Sequence, residues 1–274
     1  MEYLAIMNPF TLSPLTAICL TFNFLTRLPV PVPTGADGQC PPLAKAVWAF
    51  PLVGATVGGI AGLMLIAASA LGLNSTTSVL IAIAASIVTT GALHEDGLAD
   101  VADGFGGGST IDDKLAIMRD SRIGTYGVVA LALSLSLKAS LLSSVLGLGL
   151  GPATLALVAS GAVSRAAIVL VMVFLTPARS DGLSAAAGRP HAAAAWLNGA
   201  IAAAITIAVL WPRESLFLEP WAGVAAFAAA MTAAAFIGIL AQRQIGGQTG
   251  DVLGSVQQAA EISALGAITI SISS

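Results

Sequence analysis

Charge is what this sequence has least of. Lys, Arg, Asp and Glu together make up 9% of its 274 residues, against about 25% in an ordinary soluble domain. With 57% hydrophobic residues and a mean hydropathy of +0.92, that scarcity excludes a soluble globular protein. Basic tracts are missing too, so no nucleic-acid partner is expected. The two cysteines, Cys19 and Cys40, form neither a metal-ligand nor a redox spacing. The N-terminus lacks a basic region and a small-residue cleavage site, so no removable signal peptide is expected. The long apolar runs do not alternate with polar residues, which excludes a transmembrane β-barrel.

What is present is a series of apolar segments, at roughly 46–72, 76–93, 125–147, 152–176, 196–211, 221–241 and 256–273. As helices they are of the length that crosses a hydrocarbon core of about 30 Å. An eighth stretch, 10–26, is shorter and interrupted by Pro14, and is compatible with crossing or with lying in the interface. After it, the alternating prolines of Arg27-Leu-Pro-Val-Pro-Val-Pro33 end any helix. The expectation is an all-α, polytopic integral membrane bundle of about 7–8 hydrophobic helices, forming one domain over residues 1–274.

The connections alternate in character. Segments 27–45, 94–124, 177–195 and 242–255 hold eight of the eleven Lys and Arg residues. The turns at 73–75, 148–151 and 212–220 hold Arg213, with Glu214 and Glu219. The positive-inside rule therefore puts the first set on the cytoplasmic side of the membrane. Trp48, Trp196, Trp211 and Trp221 fall at expected helix ends, as an aromatic belt requires. Alanine-rich helices such as AAAAWLNGAIAAAIT suit close packing in lipid.

Against this background one segment stands out. Residues 94–127 hold seven of the fourteen carboxylates, from Glu95 to Asp120. An Asp at mid-bilayer costs about 2.5–3.5 kcal/mol, so the segment must reach water or a polar cavity. Asp96, Asp100 and Asp103 stand at i, i+4 and i+7, which on a helix confines them to a wedge of roughly 60°. Three carboxylates on one stripe repel each other. A divalent cation relieves that repulsion, and Mg²⁺ typically takes one or two carboxylates plus substrate phosphates. Glycines 97, 104, 106, 107 and 108 leave backbone N–H groups open to an anion. Arg119 and Arg122, three residues apart, suit a bidentate grip on phosphate oxygens. Most acidic runs are solvated surfaces, and Asp112, Asp113 and Lys114 read that way, as the exposed start of an amphipathic stretch. Spacing, glycines and arginines set the rest apart and point to metal-assisted chemistry on a diphosphate.

These residues also carry a resemblance. HEDGLADVADGF, KLAIMRDSRIGTYG and GGQTGD, together with FLTRLPVPVP and AFPLVGATVGG, resemble the cobalamin synthase family over nearly the whole chain. Members of that family are integral membrane enzymes of bacteria and archaea. The resemblance implies that adenosylcobinamide-GDP is joined to α-ribazole, or its 5′-phosphate, with release of GMP and with Mg²⁺ as cofactor. It implies a metal site drawn from Glu95, Asp96, Asp100, Asp103 and Asp251, with Asp96 or Asp100 as catalytic groups; by its position His94 is a further candidate for general base or ligand, against the commoner structural role of a histidine at a helix end. Arg27, Arg119, Arg122, Gly247, Gln248 and Thr249 become phosphate contacts. For Gly246–Asp251 an ordinary helix cap is the competing reading. For Arg27 it is a positive-inside anchor.

Some positions depart from the pattern or stand outside it. The stretch Arg179-Ser-Asp-Gly-Leu183 replaces two glutamates usual in the family, so no role is carried over to it. Lys138, Arg165 and Glu261 fall inside expected spans, where a charge faces a cavity or a partner. A CDP-alcohol phosphotransferase is the alternative enzyme, but Asp-Gly-Leu-Ala-Asp lacks the Arg its usual motif places after the Ala. An ion-coupled transporter is disfavoured by acids gathered in one loop segment and by the lack of visible inverted symmetry. A homo-oligomer is left open.

Overall fold

The computed structural model describes residues 12–32, 41–211 and 218–272. Cys40, Arg213 and Glu214 lie outside the described residues, as do residues 10, 11 and 273 at the ends of two expected spans. The described chain is helical throughout, with two isolated β-bridges and no strand. In order the helices are α1 (Pro14–Leu25), α2 (Phe50–Ala70), α3 (Ser75–Thr90), α4 (Leu93–Gly107), α5 (Ile111–Ile117) and α6 (Thr125–Leu146). They continue with α7 (Leu150–Phe174), α8 (Leu183–Ala187), α9 (Ala192–Val209), α10 (Ala222–Ile245) and α11 (Gly250–Ile270).

Among the described residues, five helices are long and apolar enough to cross a membrane: α2 with the turn before it, α6, α7, α9 and α10. α3 reaches that length and apolar character only together with α4, and the chain bends by 89° between the two. The chain is thus an all-α, multi-pass membrane bundle. α1 is a 12-residue helix started by Ser13, whose hydroxyl caps Thr16 N, with Pro14 at the first turn. At about 18 Å it is too short to cross alone. The expected segment 256–273 becomes α11, which runs back beside α10 until Ile272 bridges Leu218. It fails a hydropathy test because Gln257, Gln258 and Glu261 are in it, yet all three are buried against protein. Lipid never meets them.

α7 is the centre of the bundle, buried along most of its length. It packs closest on α2, where Gly54, Gly58 and Gly62 recur every fourth residue. A β-carbon on Gly54 or Gly58 would overlap the carbonyl of Gly161 or Leu157 on α7. Small residues at this spacing let two backbones touch, which is how helices associate where lipid and side chain are equally apolar. Trp196, Trp211 and Trp221 stay exposed at the ends of α9 and α10.

The four charged connections meet at one end of the bundle. Arg27 N donates to Thr89 O (2.8 Å), Lys114 Nζ to Gln244 Oε1 (2.5 Å) and Arg119 to Asp181 (2.6 Å). Pro177 forms a parallel bridge with Gln248. We predict that Gly58→Val, which forces α2 off α7, lowers stability by at least about 1–3 kcal/mol. Thermal unfolding in detergent reads this directly; an unchanged midpoint contradicts the packing.

Candidate active site

The acidic segment, expected as a cytoplasmic loop or helix, opens with the helix α4, where His94 and Glu95 of the first turn are buried. Gly91 and Ala92 both take left-handed backbone (φ 66° and 58°), which turns the chain sharply from α3 into α4. Ala92 is the single non-glycine with positive φ among the described residues, a conformation costing about 1–3 kcal/mol. Arg27 lays its side chain against Gly91, where a β-carbon would overlap it. The exposed Arg27 thereby braces the turn that aims α4.

What holds α4 is charge. Glu95 Oε1 accepts from Gln258 Nε2 (2.9 Å) and lies 3.8 Å from Lys138 Nζ. Lys138 in turn contacts Glu261 (2.8 Å), whose other oxygen lies 3.8 Å from Arg165. Gln257 bridges Glu261 and Ser164, and Ser134 donates to Gln258. Two cations face two anions, so the cluster is neutral. The three span charges singled out in the sequence are therefore partners of one another and of Glu95. This directs Glu95 into the bundle and away from the other candidate ligands.

Asp96 and Asp100 remain on the open side of α4, Asp96 exposed and Asp100 half-buried. Asp103 is buried, and its two oxygens accept from Gly124 N (2.7 Å) and Gly127 N (2.9 Å). The carboxylate lies so close that a β-carbon on either glycine would overlap it, which accounts for the Gly-Thr-Tyr-Gly run at the start of α6. Asp103 ties α6 to α4. Asp112 and Asp113 begin α5, where Thr110 and Asp113 form a reciprocal capping box away from the site.

The GGQTGD stretch is stitched to the chain after α7. Gln248 N donates to Thr176 O and Ala178 N to Gln248 O, while Gly247 packs on Thr176. The buried Gln248 side chain accepts from Ser184 (2.7 Å), and Thr249 caps α11 through Val252 N (3.2 Å). Those backbone groups are already engaged. Their joint effect is to set Asp251 in the first turn of α11, where Arg179 (3.2 Å) and Thr249 (3.2 Å) contact its Oδ2. Arg179, given no role from the sequence, is thus a residue of the site. Its signal was faint, because the neighbouring glutamates of the family pattern are absent here.

Asp96, Asp251, Arg179 and His94 are among the residues lining a cavity of about 270 Å³ whose remaining lining is mostly apolar. His94 is 2% exposed and its Nε2 has no hydrogen-bond partner. Arg119 and Arg122 are exposed and hold Asp181 and Asp120, and Arg122 keeps Asp120 down at about 2. Asp100 behaves in the opposite way. Burial first, and then the charges of Asp96, Asp251 and Asp103, push it up to about 7. That is the mark of carboxylates sharing one field, which a divalent cation would relieve. No three His, Cys, Asp or Glu among the described residues are gathered as a ready-made metal site. One or two carboxylates with substrate phosphates is the donor set Mg²⁺ takes, and these residues fit a metal that arrives with a diphosphate.

Fold and site define a multi-pass membrane protein with a carboxylate-and-arginine cavity at the end where its charged connections meet. The sequence model of the cobalamin-5-phosphate synthase family matches residues 17–269, and the chain belongs to that family. It is 44% identical over 251 residues to the adenosylcobinamide-GDP ribazoletransferase of Azorhizobium caulinodans, covering 90% of this chain and 93% of that one. A protein of the same name from Mesorhizobium japonicum is 43% identical over 267 residues, covering 96% and 98%. The Bradyrhizobium diazoefficiens protein of that name is 45% identical over 241 residues, covering 88% of each chain. No solved structure matches.

Two predictions test this geometry. Lys138→Met leaves Arg165 alone to face both Glu95 and Glu261, one buried negative charge in excess, and should destabilise the protein by about 3–5 kcal/mol, read as a lower unfolding midpoint. Asp100 carries its proton below pH about 7 and loses it above. Carbodiimide, which modifies protonated carboxyls, should therefore label it increasingly as pH falls through that value, seen by peptide mass spectrometry. A label that appears only in the usual carboxylate range contradicts the shared field.

Proposed function

We propose that the protein joins adenosylcobinamide-GDP to α-ribazole or its 5′-phosphate, the late step that assembles the nucleotide loop of cobalamin. A ribose hydroxyl oxygen attacks the phosphorus bonded to the corrinoid side chain. The bond from that phosphorus to the bridging oxygen breaks, GMP leaves with the oxygen, and the hydroxyl proton passes to a carboxylate. The observation that carries this reading is Asp96 and Asp251 beside Arg179 at one cavity, with Asp100 in the field of both carboxylates.

Asp96 and Asp251 are the carboxylates that would hold Mg²⁺ with the diphosphate, and the ion would neutralise charge on the phosphates. Asp100, half-buried on α4 one turn beyond Asp96, is the carboxylate assigned to take the hydroxyl proton. Arg179 orients Asp251. Arg119 and Arg122 do not line the cavity; paired with exposed carboxylates, they can exchange Asp181 and Asp120 for phosphate oxygens of a substrate that extends beyond it. Asp103 and Glu95 set the position of α4 and do not touch the substrate. The site end faces the cytoplasm of a bacterial inner membrane, by the excess of Lys and Arg in the connections there. Phosphoryl transfer asks little covalent chemistry of a protein and much positioning and charge, which suits this equipment.

The alternative, transfer from a CDP-alcohol, would also use aspartates over Mg²⁺, but family membership disfavours it. The test is turnover by purified protein in detergent, followed as GMP and corrinoid product, with and without EDTA. Mg²⁺-dependent release that requires α-ribazole is expected. Asp96→Asn should lower kcat about 10²-fold or more while the protein still inserts and melts normally. Release of GMP without α-ribazole, or a near-normal rate in Asp96→Asn, contradicts the assignment.

A further inference from the structure

Away from the active site, α7 and α10 leave a second cavity between them, of about 380 Å³. Its lining is apolar except for Gln242 and Arg243, and contains no carboxylate. Ala234 and Gly238 of α10 are buried there, and a β-carbon on Gly238 would lie 3.3 Å from Val171 of α7. Phe174 and Ile239, also in the lining, are exposed. Both helices are long and apolar enough to cross the membrane, so the groove opens onto hydrocarbon and not onto water.

Length and charge select the occupant. The lining extends along α10 from Ala234 to Arg243, about 13 Å at the helical rise. That is close to half of a hydrocarbon core of about 30 Å, the depth of one leaflet. Arg243 lies in the last turn of α10, at the end where the charged connections meet. It is exposed and has no hydrogen-bond or ion-pair partner among the described residues, whereas Arg119, Arg122 and Arg179 each hold a carboxylate. A free guanidinium suits the oxygens of a phosphate, and basic pockets between membrane helices bind anionic head groups.

We propose that this groove holds one anionic phospholipid from the leaflet at the site end, with an acyl chain between α7 and α10 and its phosphate on Arg243. A second copy of the chain fits less well. Copies of a membrane protein share one orientation, so a two-fold axis along the membrane normal brings equal depths together. Arg243 would then meet a lining that offers it no carboxylate.

The place of the groove gives the lipid a consequence. α7 leads from it into residues 175–178 and α10 into Gly246, Gly247 and Gln248. These two stretches are hydrogen-bonded to each other, Gln248 N to Thr176 O (2.9 Å) and Ala178 N to Gln248 O (2.8 Å). Gln242, in the lining, donates to Gly246 O (3.2 Å). Arg179 follows Ala178, and its contact with Asp251 closes the same loop pair. A chain wedged between the helix ends sets their spacing and thereby steadies that contact. None of this depends on the reaction assigned above.

Full-length protein in detergent, stripped of lipid, would be titrated with phosphatidylglycerol and with phosphatidylcholine, and the bound lipid counted by native mass spectrometry. The native protein should retain one phosphatidylglycerol about tenfold more tightly than phosphatidylcholine, the worth of one charge-assisted contact. Arg243→Gln should hold the two lipids alike. Ala235→Trp fills the groove from an exposed position and should lose the tight binding while melting as the native protein does. Hydrogen exchange is the second readout: phosphatidylglycerol should slow exchange at the Ala178 and Gln248 amides in the native protein but not in Ala235→Trp. Equal retention of both lipids by the native protein, or a preference unchanged in either variant, overturns the proposal. So does a dimer that forms without lipid and is broken by Ala235→Trp, which gives the groove to a second copy. Exchange that is the same with and without bound lipid overturns the consequence drawn for the site.

Discussion

Everything about this site depends on one neutral cluster of four buried charges. Glu95 and Glu261 oppose Lys138 and Arg165, with Gln257, Gln258, Ser134 and Ser164 taking up remaining hydrogen bonds. An uncompensated charge at that depth is not tolerated, whereas two of each sign in contact are. Because Glu95 belongs to the first turn of α4, closing the cluster fixes where α4 begins and how it is rotated. Lys138 and Arg165 sit well inside α6 and α7, so the acidic helix starts within the bundle and not on its surface. The left-handed pair Gly91–Ala92 lets α3 deliver the chain there, and Asp103 fastens the far end to α6.

With both ends held, rotation of α4 does the rest. Glu95 points inward, and Asp96, one residue on, must point about 100° away. Asp100, a turn later, follows Asp96 toward Asp251. The Thr176–Ala178 strand-like contact with Gln248 brings Asp251 and Arg179 in from the other side. The cavity is therefore assembled from α1, α2, α4, α7, α8 and α11, helices far apart in sequence. A membrane bundle suits such a construction, because its helices are already ordered and the polar groups can be sited at one end without loosening the core.

Much of the fold was legible. Apolar segments, their positive connections and the tryptophans at their ends follow from hydropathy and charge; seven segments were expected to cross, five described helices do so by themselves, and the helices lie near the expected bounds except α11, which starts at Gly250 rather than 256. The stripe of Asp96, Asp100 and Asp103 was also readable, because helical spacing is a local property. The same arithmetic puts Glu95 about 100° off that stripe, a warning that it has a different partner. What the sequence concealed are pairings made over long separations. Nothing local says that Lys138 meets Glu261, that Arg179 meets Asp251, or that Asp103 lies on two glycines of α6. In the GGQTGD stretch the motif was visible, but not that its backbone is spent on loop hydrogen bonds.

The central claim is that Asp96 and Asp251 hold a divalent cation together with the substrate's phosphates, while Glu95 belongs to the buried cluster. Electron paramagnetic resonance of Mn²⁺ in place of Mg²⁺ tests it most directly, with the purified protein measured with and without adenosylcobinamide-GDP. The account predicts weak Mn²⁺ binding alone and strong binding with the diphosphate, lost in Asp96→Asn and Asp251→Asn. Mn²⁺ that binds equally well without substrate, or stays bound when both aspartates are replaced, would contradict it.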